Sequence, residues 1–352
     1  MNRPETPTPS PTPGATGPLL TAVVVNYNAW PDVCRLVAAL AASPEVAGGV
    51  CEVVVVDNAS AGPVPPPLRT PAPGVRLIAR QENGGFAVGV NAGWRASRSP
   101  WLLLLNPDVV AGDGLLAAVV TRVRGFTSAP GVVGFGLRNP DGTRQPSVGT
   151  FPNLSRAVWE QLIPRSRRKY QAVWRTKPGP VAWVTGACVL VNAAMLDALG
   201  GLDEEFFLYY EEVALCRAAL GNGWRVEYDP TVEVVHLSPL QNRPVTPRLR
   251  VITRHSKLLY FRKHAPRWQF LGLCAVVAAE ARVLGAWARV RGRAEEVRSW
   301  RTIALIERSL RSGASLGGRD VLDLADSVPL PPGEPPRGNG PAAARGRPVD
   351  AG

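Results

Sequence analysis

Three apolar runs in the first third of the chain place the strongest constraint on its fold. They cover Leu20–Val25, Val53–Val56 and Trp101–Leu105, and a cluster of polar, turn-forming residues follows each one. Runs that are apolar on both faces and separated by helix-length segments are typical of buried parallel strands. The sequence therefore predicts an α/β fold with a mostly parallel central sheet.

The segments between and after these runs supply the other predicted elements. Apolar residues at helical spacing predict helices over Asp32–Ala42 and Val88–Ser97, whereas six prolines in residues 61–74 predict a surface loop. Further along, the pattern predicts a strand block, a short helix, a turn leading into a helix, and a last strand, in the order Val181–Val191, Ala193–Leu199, Asp203–Leu220 and Trp224–Val235.

Polar residues at the strand ends predict a ligand site, since open parallel sheets bind ligands at the carboxyl ends of their strands. Asp57 can accept hydrogen bonds from a base or a ribose hydroxyl, or it can simply cap the following loop. Asn106 and Asp108 suit a hard divalent cation that takes other ligands from water and phosphates. The same Asn-Pro-Asp triplet is also a common turn.

A glycine-rich turn follows at Asn83–Gly93 and runs into a predicted helix. Such a helix start presents backbone N–H groups to an anionic phosphate. The segment lacks both the GxGxxG spacing and a GKS/T triplet, so neither a dinucleotide fold nor an NTPase loop is indicated.

Two adjacent carboxylates, Glu211 and Glu212, lie between an aromatic cluster and an apolar helix. A carboxylate held against aromatic side chains can act as a general base for a hydroxyl nucleophile. Acidic residues at a helix start are also favoured by the helix dipole alone. His236, after the last predicted strand, either completes a metal or phosphate site with Asp108 or is structural.

Nearly all of the positive charge lies in one C-terminal stretch. Residues 1–240 carry 20 basic and 19 acidic side chains, residues 241–311 carry 16 and 4, and residues 312–352 carry 4 and 5. This distribution argues against a generic nucleic-acid-binding protein. The stretch 241–311 is predicted to be helical, and its cations alternate with aromatic residues and leucines. It suits an anionic membrane surface, or else forms a solvated face packed on the preceding domain.

The remaining sequence features concern the compartment and the chain ends. The five cysteines are scattered among apolar residues with no CxxC spacing, which indicates reduced thiols in the cytoplasm. The longest apolar run, Trp268–Ala279, falls short of the roughly 20 residues a membrane-spanning helix needs. Residues 1–18 and 312–352 are rich in proline, glycine and alanine or threonine, and both are predicted to be disordered.

Together these segments resemble family 2 glycosyltransferases with the GT-A fold, of the rhamnosyltransferase-like kind. The resemblance spans about residues 20–240, which we take as residues 19–240 of a catalytic domain, and the basic helical extension follows it. It is carried in order by Val23–Asn28, Val56–Ser60, Glu82–Ala87 with Asn91–Gly93, Leu105–Asp108, Gly186-Ala187, Gly200–Phe207, Tyr210–Val213 with Leu215–Arg217, Gly223-Trp224 and Val235-His236.

The resemblance implies a role for individual residues. The nucleotide-sugar would be held by Asn26, Tyr27, Asp57, Asn58, Asn83, Gly84 and Asn106. Mg²⁺ or Mn²⁺ on the diphosphate would be bound by Asp108 and His236, and the acceptor side would be lined by Trp183, Gly186 and Ala187. Glu212 would be the catalytic base, with Glu211 beside it.

The implied activity is an inverting transfer in cell-envelope polysaccharide synthesis. The donor would be a dTDP-rhamnose-like or UDP-sugar, and the acceptor a hydroxyl of a glycan or polyprenol-linked glycan. Such an enzyme would be cytoplasmic, and peripheral on the inner face of the membrane if the basic segment binds there. One departure stands out, because similar sequences usually carry Asp where this chain has Ala214. The alternative is a catalytically silent relative that binds a nucleotide-sugar or glycan as a scaffold.

Overall fold

The computed structural model of the chain describes residues 17–162, 177–238 and 245–327. The predicted N-terminal tail lies outside these ranges except for its last two residues, as does the C-terminal segment 328–352. The strands within the described ranges are β1 Leu20–Asn26, β2 Cys51–Asp57, β3 Val75–Ala79, β4 Trp101–Leu105, β5 Val109–Val110, β6 Val132–Arg138, β7 Arg144–Gln145, β8 Val148–Gly149, β9 Gly179–Pro180, β10 Trp183–Val184, β11 Cys188–Asn192 and β12 Val226–His236.

The main sheet has the strand order β3-β2-β1-β4-β11-β6-β12-β5. The first four strands in this order run parallel, as do β6 and β12, while β11 is antiparallel to both of its neighbours. Strand β5 pairs antiparallel with the end of β12, and β8 pairs with β10 in a separate small sheet. The predicted α/β class with a mostly parallel central sheet is confirmed.

Helices cover both faces of this sheet. They are α1 Trp30–Ala41, α2 Pro44–Ala47, α3 Pro66–Arg69, α4 Phe86–Ala96, α5 Leu115–Arg124, α6 Leu154–Leu162, α7 Ala193–Leu199, α8 Glu211–Gly221, α9 Pro247–His264, α10 Arg267–Val290, α11 Ala294–Arg311 and α12 Gly318–Ser327. Alternate residues of β1 face opposite layers: Val24 packs with α1 and α5, and Val23 and Val25 pack with α4 and α8. Burial on both sides explains why the strand sequences are apolar throughout.

The basic C-terminal helices share a core with the sheet layer. Helix α9 begins at Pro247, where the Thr246 side chain accepts a hydrogen bond from the backbone N–H of Leu249. Its Leu259 and Phe261 are buried in the same apolar cluster as Cys216 of α8. The four helices α9 to α12 therefore continue the fold of the preceding domain.

The prediction that residues 312–352 are disordered is wrong for α12. Apolar residues three apart, Val321 and Leu324, give this short segment a face that packs against α9 and α11, and Val321 is fully buried. Gly318 lies so close to Phe207 that an added Cβ would be 2.1 Å from the Phe207 Cβ. The abundance of glycine and proline around this segment conceals its periodicity.

Helix α10 also differs from expectation. It runs unbroken for 24 residues through Gln269, Glu280 and Arg282, and its most apolar 18-residue window has a mean hydropathy of 1.6. By length and composition alone it could therefore cross a membrane, whereas the sequence predicted no such segment. Only 28% of that window is buried inside the protein. The polar residues that interrupt the apolar run do not end the helix.

Candidate active site

The ends of β1 and β2 lie side by side, with Asn26 opposite Asp57 in the register. Asn26 is fully buried, and its amide donates to Asp57 Oδ1 at 2.8 Å and to Ser60 Oγ at 2.9 Å. Its side-chain oxygen accepts from the backbone N–H of Ala29 at 3.0 Å. The structure thus places Asn26 behind Asp57, as a residue that fixes the carboxylate and the loop around it.

Hydrogen bonds from Asn58 hold the glycine-rich turn against the end of β2. The Asn58 amide donates to Asn83 Oδ1 at 2.8 Å and to the Gly85 carbonyl at 2.9 Å. Gly85 has φ of +95°, and a Cβ there would lie 2.4 Å from the Phe207 carbonyl oxygen. Only glycine fits this position without strain. The tight contact joins the turn to the aromatic segment that precedes α8.

A cleft of about 630 Å³ opens over these strand ends. Five of the predicted site residues line it, namely Tyr27, Asn58, Asn83, Asn106 and Asp108. The predicted residues Asn26, Asp57 and Gly84 are not on its wall and support the residues that are. We call this space the donor cleft.

Strand pairing brings Asp108 and His236 together, since β5 pairs with the end of β12 and His236 lies opposite Val109. His236 Nε2 is 3.3 Å from Asp108 Oδ1, and both side chains are about nine-tenths buried. On the other side of the ring, Gln145 Nε2 lies 3.1 Å from His236 Nδ1. The predicted pairing of these two residues is therefore present in the geometry.

This pair fits a divalent cation. His236 Nε2 is a buried nitrogen with no hydrogen-bond partner among the described residues, and a carboxylate oxygen faces it. The described ranges contain no group of three or more His, Cys, Asp or Glu side chains that could hold a metal. Two protein ligands suit an ion such as Mg²⁺ that takes its other ligands from phosphates and water.

A second space, of about 220 Å³, adjoins the donor cleft. It shares Phe86, Asn106 and Leu208 with the cleft. Its wall includes every residue predicted for the acceptor side and for catalysis, and His236 as well: Trp183, Gly186, Ala187, Glu211, Glu212 and His236. We call this space the acceptor cavity.

The predicted strand block Val181–Val191 is in fact two strands, β10 and β11, in different sheets. The chain bends between them at Gly186 and Ala187, which is how both reach the cavity wall. The Ala187 carbonyl accepts from the backbone N–H of Asn106 at 3.0 Å. This bond ties the acceptor side to the end of β4.

Glu211 and Glu212 occupy the first turn of α8, directly after two residues with left-handed backbone. Tyr209 and Tyr210 have φ of 69° and 72°, a conformation that non-glycine residues adopt mainly where the surroundings enforce it. Both glutamates carry a buried carboxylate oxygen, Oε2, without a hydrogen-bond partner among the described residues. The backbone turn thus aims two carboxylates into an enclosed space.

Burial changes the acidity of both carboxylates. It raises the pKa of Glu212 from 4.5 to about 7. Burial first, and then the adjacent charge of Glu212, raises the pKa of Glu211 well above 4.5. Because two neighbouring carboxylates resist ionising together, the pair holds a proton near neutral pH. A base with a pKa near the working pH is well suited to proton transfer.

Helix α9 contributes to the site in a way the sequence did not predict. Ser256 Oγ donates to the Leu208 carbonyl at 2.9 Å, which holds the aromatic segment before α8. Arg248 and Ile252 of α9 line the donor cleft, and Lys257 lines the acceptor cavity. The sequence predicts α9 as part of a separate basic extension, and no motif marks these residues.

Comparison with known proteins decides the family. A model described as glycosyltransferase like family 2 matches residues 17–257. The chain belongs to this family. The resemblance to rhamnosyltransferase-like members is also confirmed. The strand order described above has the α/β architecture that the resemblance implied.

Among curated relatives of this family 2 glycosyltransferase is an N-acetylglucosaminyl-diphospho-decaprenol L-rhamnosyltransferase of Mycobacterium tuberculosis. The two are 31% identical over 237 residues, which cover 62% of this chain and 76% of the relative. The chain is 25% identical over 236 residues to a low-salt glycan biosynthesis hexosyltransferase of Haloferax volcanii, covering 63% and 68% of the two chains. It is 24% identical over 162 residues to the rhamnosyltransferase WbbL of Escherichia coli, covering 46% and 61%.

Solved structures of similar shape include a mannosyltransferase from Pyrobaculum calidifontis in complex with GDP-Man and Mn²⁺. It has 18% identity, a TM-score of 0.48, and coverage of 92% of this chain and 90% of that one. TarS from S. aureus in complex with UDP-GlcNAc has 13% identity, a TM-score of 0.48, and coverage of 84% and 92%.

The alternative of a catalytically silent relative is not favoured. Ala214 is 3% exposed and packs in the apolar core, and it is not on the wall of the acceptor cavity. Alanine instead of aspartate at this position therefore leaves the charged side chains that line the cavity unchanged. The acidic pair itself is present in the enclosed space beside the donor cleft.

Proposed function

We propose that this family 2 glycosyltransferase moves a sugar, with inversion, from a nucleotide-sugar in the donor cleft to a hydroxyl in the acceptor cavity. The observation that carries this proposal is the junction of the two spaces at Asn106. The Asp108–His236 pair lies at this junction, and the acidic pair lies in the acceptor cavity. A donor phosphate and an acceptor hydroxyl can therefore meet there.

In the proposed mechanism Glu212 is the general base. It takes the proton of the acceptor hydroxyl while that oxygen forms a bond to the anomeric carbon of the donor. The bond between the anomeric carbon and the phosphate oxygen breaks with its electrons, and the nucleoside diphosphate leaves. Glu211 stays protonated and neutral beside it, because burial and the charge of Glu212 raise the pKa of Glu211 well above 4.5.

We propose that Asp108 and His236 hold Mg²⁺ or Mn²⁺. Support comes from the unpartnered Nε2 atom of His236 facing the Asp108 carboxylate. When bound, the cation would neutralise charge on the departing diphosphate. Tyr27, Asn58, Asn83 and Asn106 line the cleft on the nucleotide side. Asn26 and Asp57 hold the strand ends beneath that side through their hydrogen bond. The Gly84 backbone N–H donates to Asn58 Oδ1, which holds the glycine-rich turn against the cleft.

The relatives suggest the substrates. Two of them are named rhamnosyltransferases, and the name of one specifies an acceptor linked through a diphosphate to decaprenol. We therefore propose a dTDP-rhamnose-like or UDP-sugar donor and a polyprenol-linked glycan acceptor in cell-envelope polysaccharide synthesis.

A ligand screen tests the donor. The chain is heated with Mn²⁺ and each of a set of dTDP-, UDP- and GDP-sugars. A donor present at 100 times its dissociation constant adds about 2.7 kcal/mol of stability, so the correct donor stands out. Transfer of the labelled sugar to a lipid-linked N-acetylglucosamine completes the test. The proposal fails if every donor leaves the unfolding temperature and the acceptor unchanged.

We also propose that the enzyme is cytoplasmic and lies on an anionic membrane surface through α10. This helix packs against α9, α11 and α6 on one side, and its opposite side carries an apolar stripe. The large exposed members of the stripe, with 65%, 41%, 66%, 46% and 87% of their surface exposed, are Trp268, Leu271, Val283, Trp287 and Val290.

Exposed arginines flank the stripe and suit anionic head groups. Arg291 and Arg293 lie over the Trp287 ring at 3.9 and 5.5 Å. Three cations of α9, which belongs to the predicted basic stretch, form ion pairs within the protein instead: Lys257 pairs with Glu160, Arg254 with Glu280, and Lys263 with Asp203. Because one side of α10 packs against other helices of the protein, attachment to the membrane surface is favoured over crossing of the bilayer.

A further inference from the structure

A cluster of partly buried charged side chains joins α6, α9 and α10 beside the acceptor cavity. Lys257 Nζ lies 3.0 Å from Glu160 Oε2, and Arg156 Nε lies 3.5 Å from Glu160 Oε1. Arg254 Nε lies 2.9 Å from Glu280 Oε2. Among the described side chains, Lys257 and Arg156 thus pair with Glu160, and Arg254 pairs with Glu280. We call this set the basic wall.

The basic wall is poorly exposed to water. Side-chain exposure is 12% for Lys257, 22% for Arg156 and 24% for Glu160. Burial lowers the pKa of Lys257, and Glu160 only partly opposes this effect. Cations that are largely shielded from water interact more strongly with an anion than exposed cations do. The positions of Arg156 and Lys257 therefore suit an anionic ligand.

Three members of the wall, Arg156, Glu160 and Lys257, line the acceptor cavity. Apart from His236, the first and last of these are the cationic side chains among its described lining residues. The cavity thus has an acidic part, around Glu212, that suits a hydroxyl. It also has a basic part that suits a phosphate.

Helix α6 connects this basic part to the apolar surface. Its Ala157 and Glu160 line the cavity, whereas Val158 and Trp159 are 41% and 61% exposed on its outer side. The helix packs on α10, where the Gln269 side chain accepts from the backbone N–H of Leu154 at 3.0 Å. The basic part therefore lies one helix away from the proposed membrane face.

We infer that Arg156 and Lys257 form the binding site for the diphosphate of a lipid-linked acceptor. This inference rests on the proposed function and assigns its acceptor to a place in the molecule. The sugar hydroxyl lies at Glu212, the diphosphate lies against Arg156 and Lys257, and the prenyl chain leaves over the outer side of α6. Glu160 pairs with both cations and competes with the diphosphate for them.

The test measures binding of farnesyl diphosphate to the full chain by intrinsic tryptophan fluorescence, without donor. Farnesyl monophosphate and farnesol separate the contribution of the diphosphate from that of the chain. We expect Lys257→Gln and Arg156→Gln each to weaken farnesyl diphosphate binding by roughly tenfold or more, since each removes a charge-assisted contact. Farnesol binding should not change, and Lys257→Arg should keep most of the affinity.

Glu160→Gln gives the sharpest distinction. Removing the competing carboxylate should tighten farnesyl diphosphate binding, whereas a purely structural ion pair predicts that it weakens binding as Lys257→Gln does. Asp108→Asn is the control for binding in the donor cleft and should leave the affinity unchanged. The inference is overturned if the two cation variants bind farnesyl diphosphate as the wild type does, or if Glu160→Gln weakens binding.

Failure of the inference alone is distinguishable from failure of the proposed function, which fails if the wild type transfers sugar to no acceptor. If the wild type transfers sugar to a neutral alkyl N-acetylglucosaminide, and the cation variants use the diphosphate acceptor with an unchanged KM, the enzyme is a transferase without this diphosphate site. The inference holds if the acceptor KM rises in these variants for the diphosphate acceptor alone.

Discussion

His236 Nε2 lies 3.3 Å from Asp108 Oδ1, because the residue before β5 meets the last residue of β12 in their antiparallel pairing. Strand β5 is only two residues long, Val109–Val110. Its pairing nevertheless fixes the direction in which Asp108 leaves β4. The proposed metal site therefore depends on a backbone contact as much as on its side chains.

Removal of either residue should weaken metal binding. We expect Asp108→Asn and His236→Ala each to lower the affinity for Mn²⁺ in the presence of nucleoside diphosphate by at least about tenfold, since two protein ligands are all that the pair provides. Titration of Mn²⁺ followed by electron paramagnetic resonance measures this. Asp113→Asn, an exposed carboxylate nearby, is the matched control and should bind Mn²⁺ normally. Unchanged affinity in both site variants would rule out this location.

The acidic pair predicts a pH dependence of turnover. Because burial raises the pKa of Glu212 to about 7, the base is protonated below that pH and the rate should rise through it. Glu211 is still protonated in this range, so Glu211→Gln should leave the rising limb close to pH 7. Initial rates at saturating substrate between pH 5 and pH 9 measure the position of the limb. A limb that moves clearly to lower pH in this variant would show that the Glu211 carboxylate is charged there, and would contradict its assigned protonation.

The same pair predicts a pH dependence of stability. The folded-state pKa of Glu211 lies above its unfolded value, so the folded chain binds more protons and loses stability as pH rises above about 4.5. Glu211→Gln should therefore raise the free energy of unfolding at pH 8 and leave it nearly unchanged at pH 4. Denaturant unfolding at both values measures this. Equal effects at both pH values would contradict the assigned burial of a carboxylate.

The turn at Gly85 should tolerate no side chain. With φ of +95° and a Cβ position 2.4 Å from the Phe207 carbonyl oxygen, Gly85→Ala should destabilise the protein by about 1–3 kcal/mol. Donor affinity should fall as well, because the turn lines the cleft. The control is Gly112→Ala, where an added Cβ meets no atom within 4 Å. Similar stability for the two variants would mean that the turn is free to adjust.

The sequence predicted the strands, the polar strand ends and the acidic pair, because each has a strong local pattern. It did not predict that the Asn26 amide would donate to Asp57 and Ser60. In a sequence, an amide with internal hydrogen-bond partners cannot be distinguished from one that binds a ligand. The place of Lys257 on the wall of the acceptor cavity has no signal in the sequence, because its partner Glu160 comes from a helix far away along the chain. Helix α12 was missed because the composition around it hides the pair Val321 and Leu324.

The apolar stripe of α10 makes membrane attachment testable. Val283→Ser together with Val290→Ser should reduce binding to anionic phospholipid vesicles by roughly tenfold or more. Each substitution removes the favourable free energy of transferring an apolar side chain from water into the membrane interface. Activity on a soluble acceptor should be unchanged. Leu220→Ser, at a side chain 40% exposed on α8, should bind vesicles as the wild type does. Full vesicle binding by the double variant would exclude this face.

The proposed base gives the most direct test of the whole mechanism. Single-turnover transfer and donor affinity are measured for Glu212→Gln, with the donor found in the thermal screen. We predict a rate lower by on the order of 10²-fold or more and a donor dissociation constant close to that of the wild type. Transfer at nearly the wild-type rate would contradict the assignment of Glu212, and with it the division of the site into a donor cleft and an acceptor cavity.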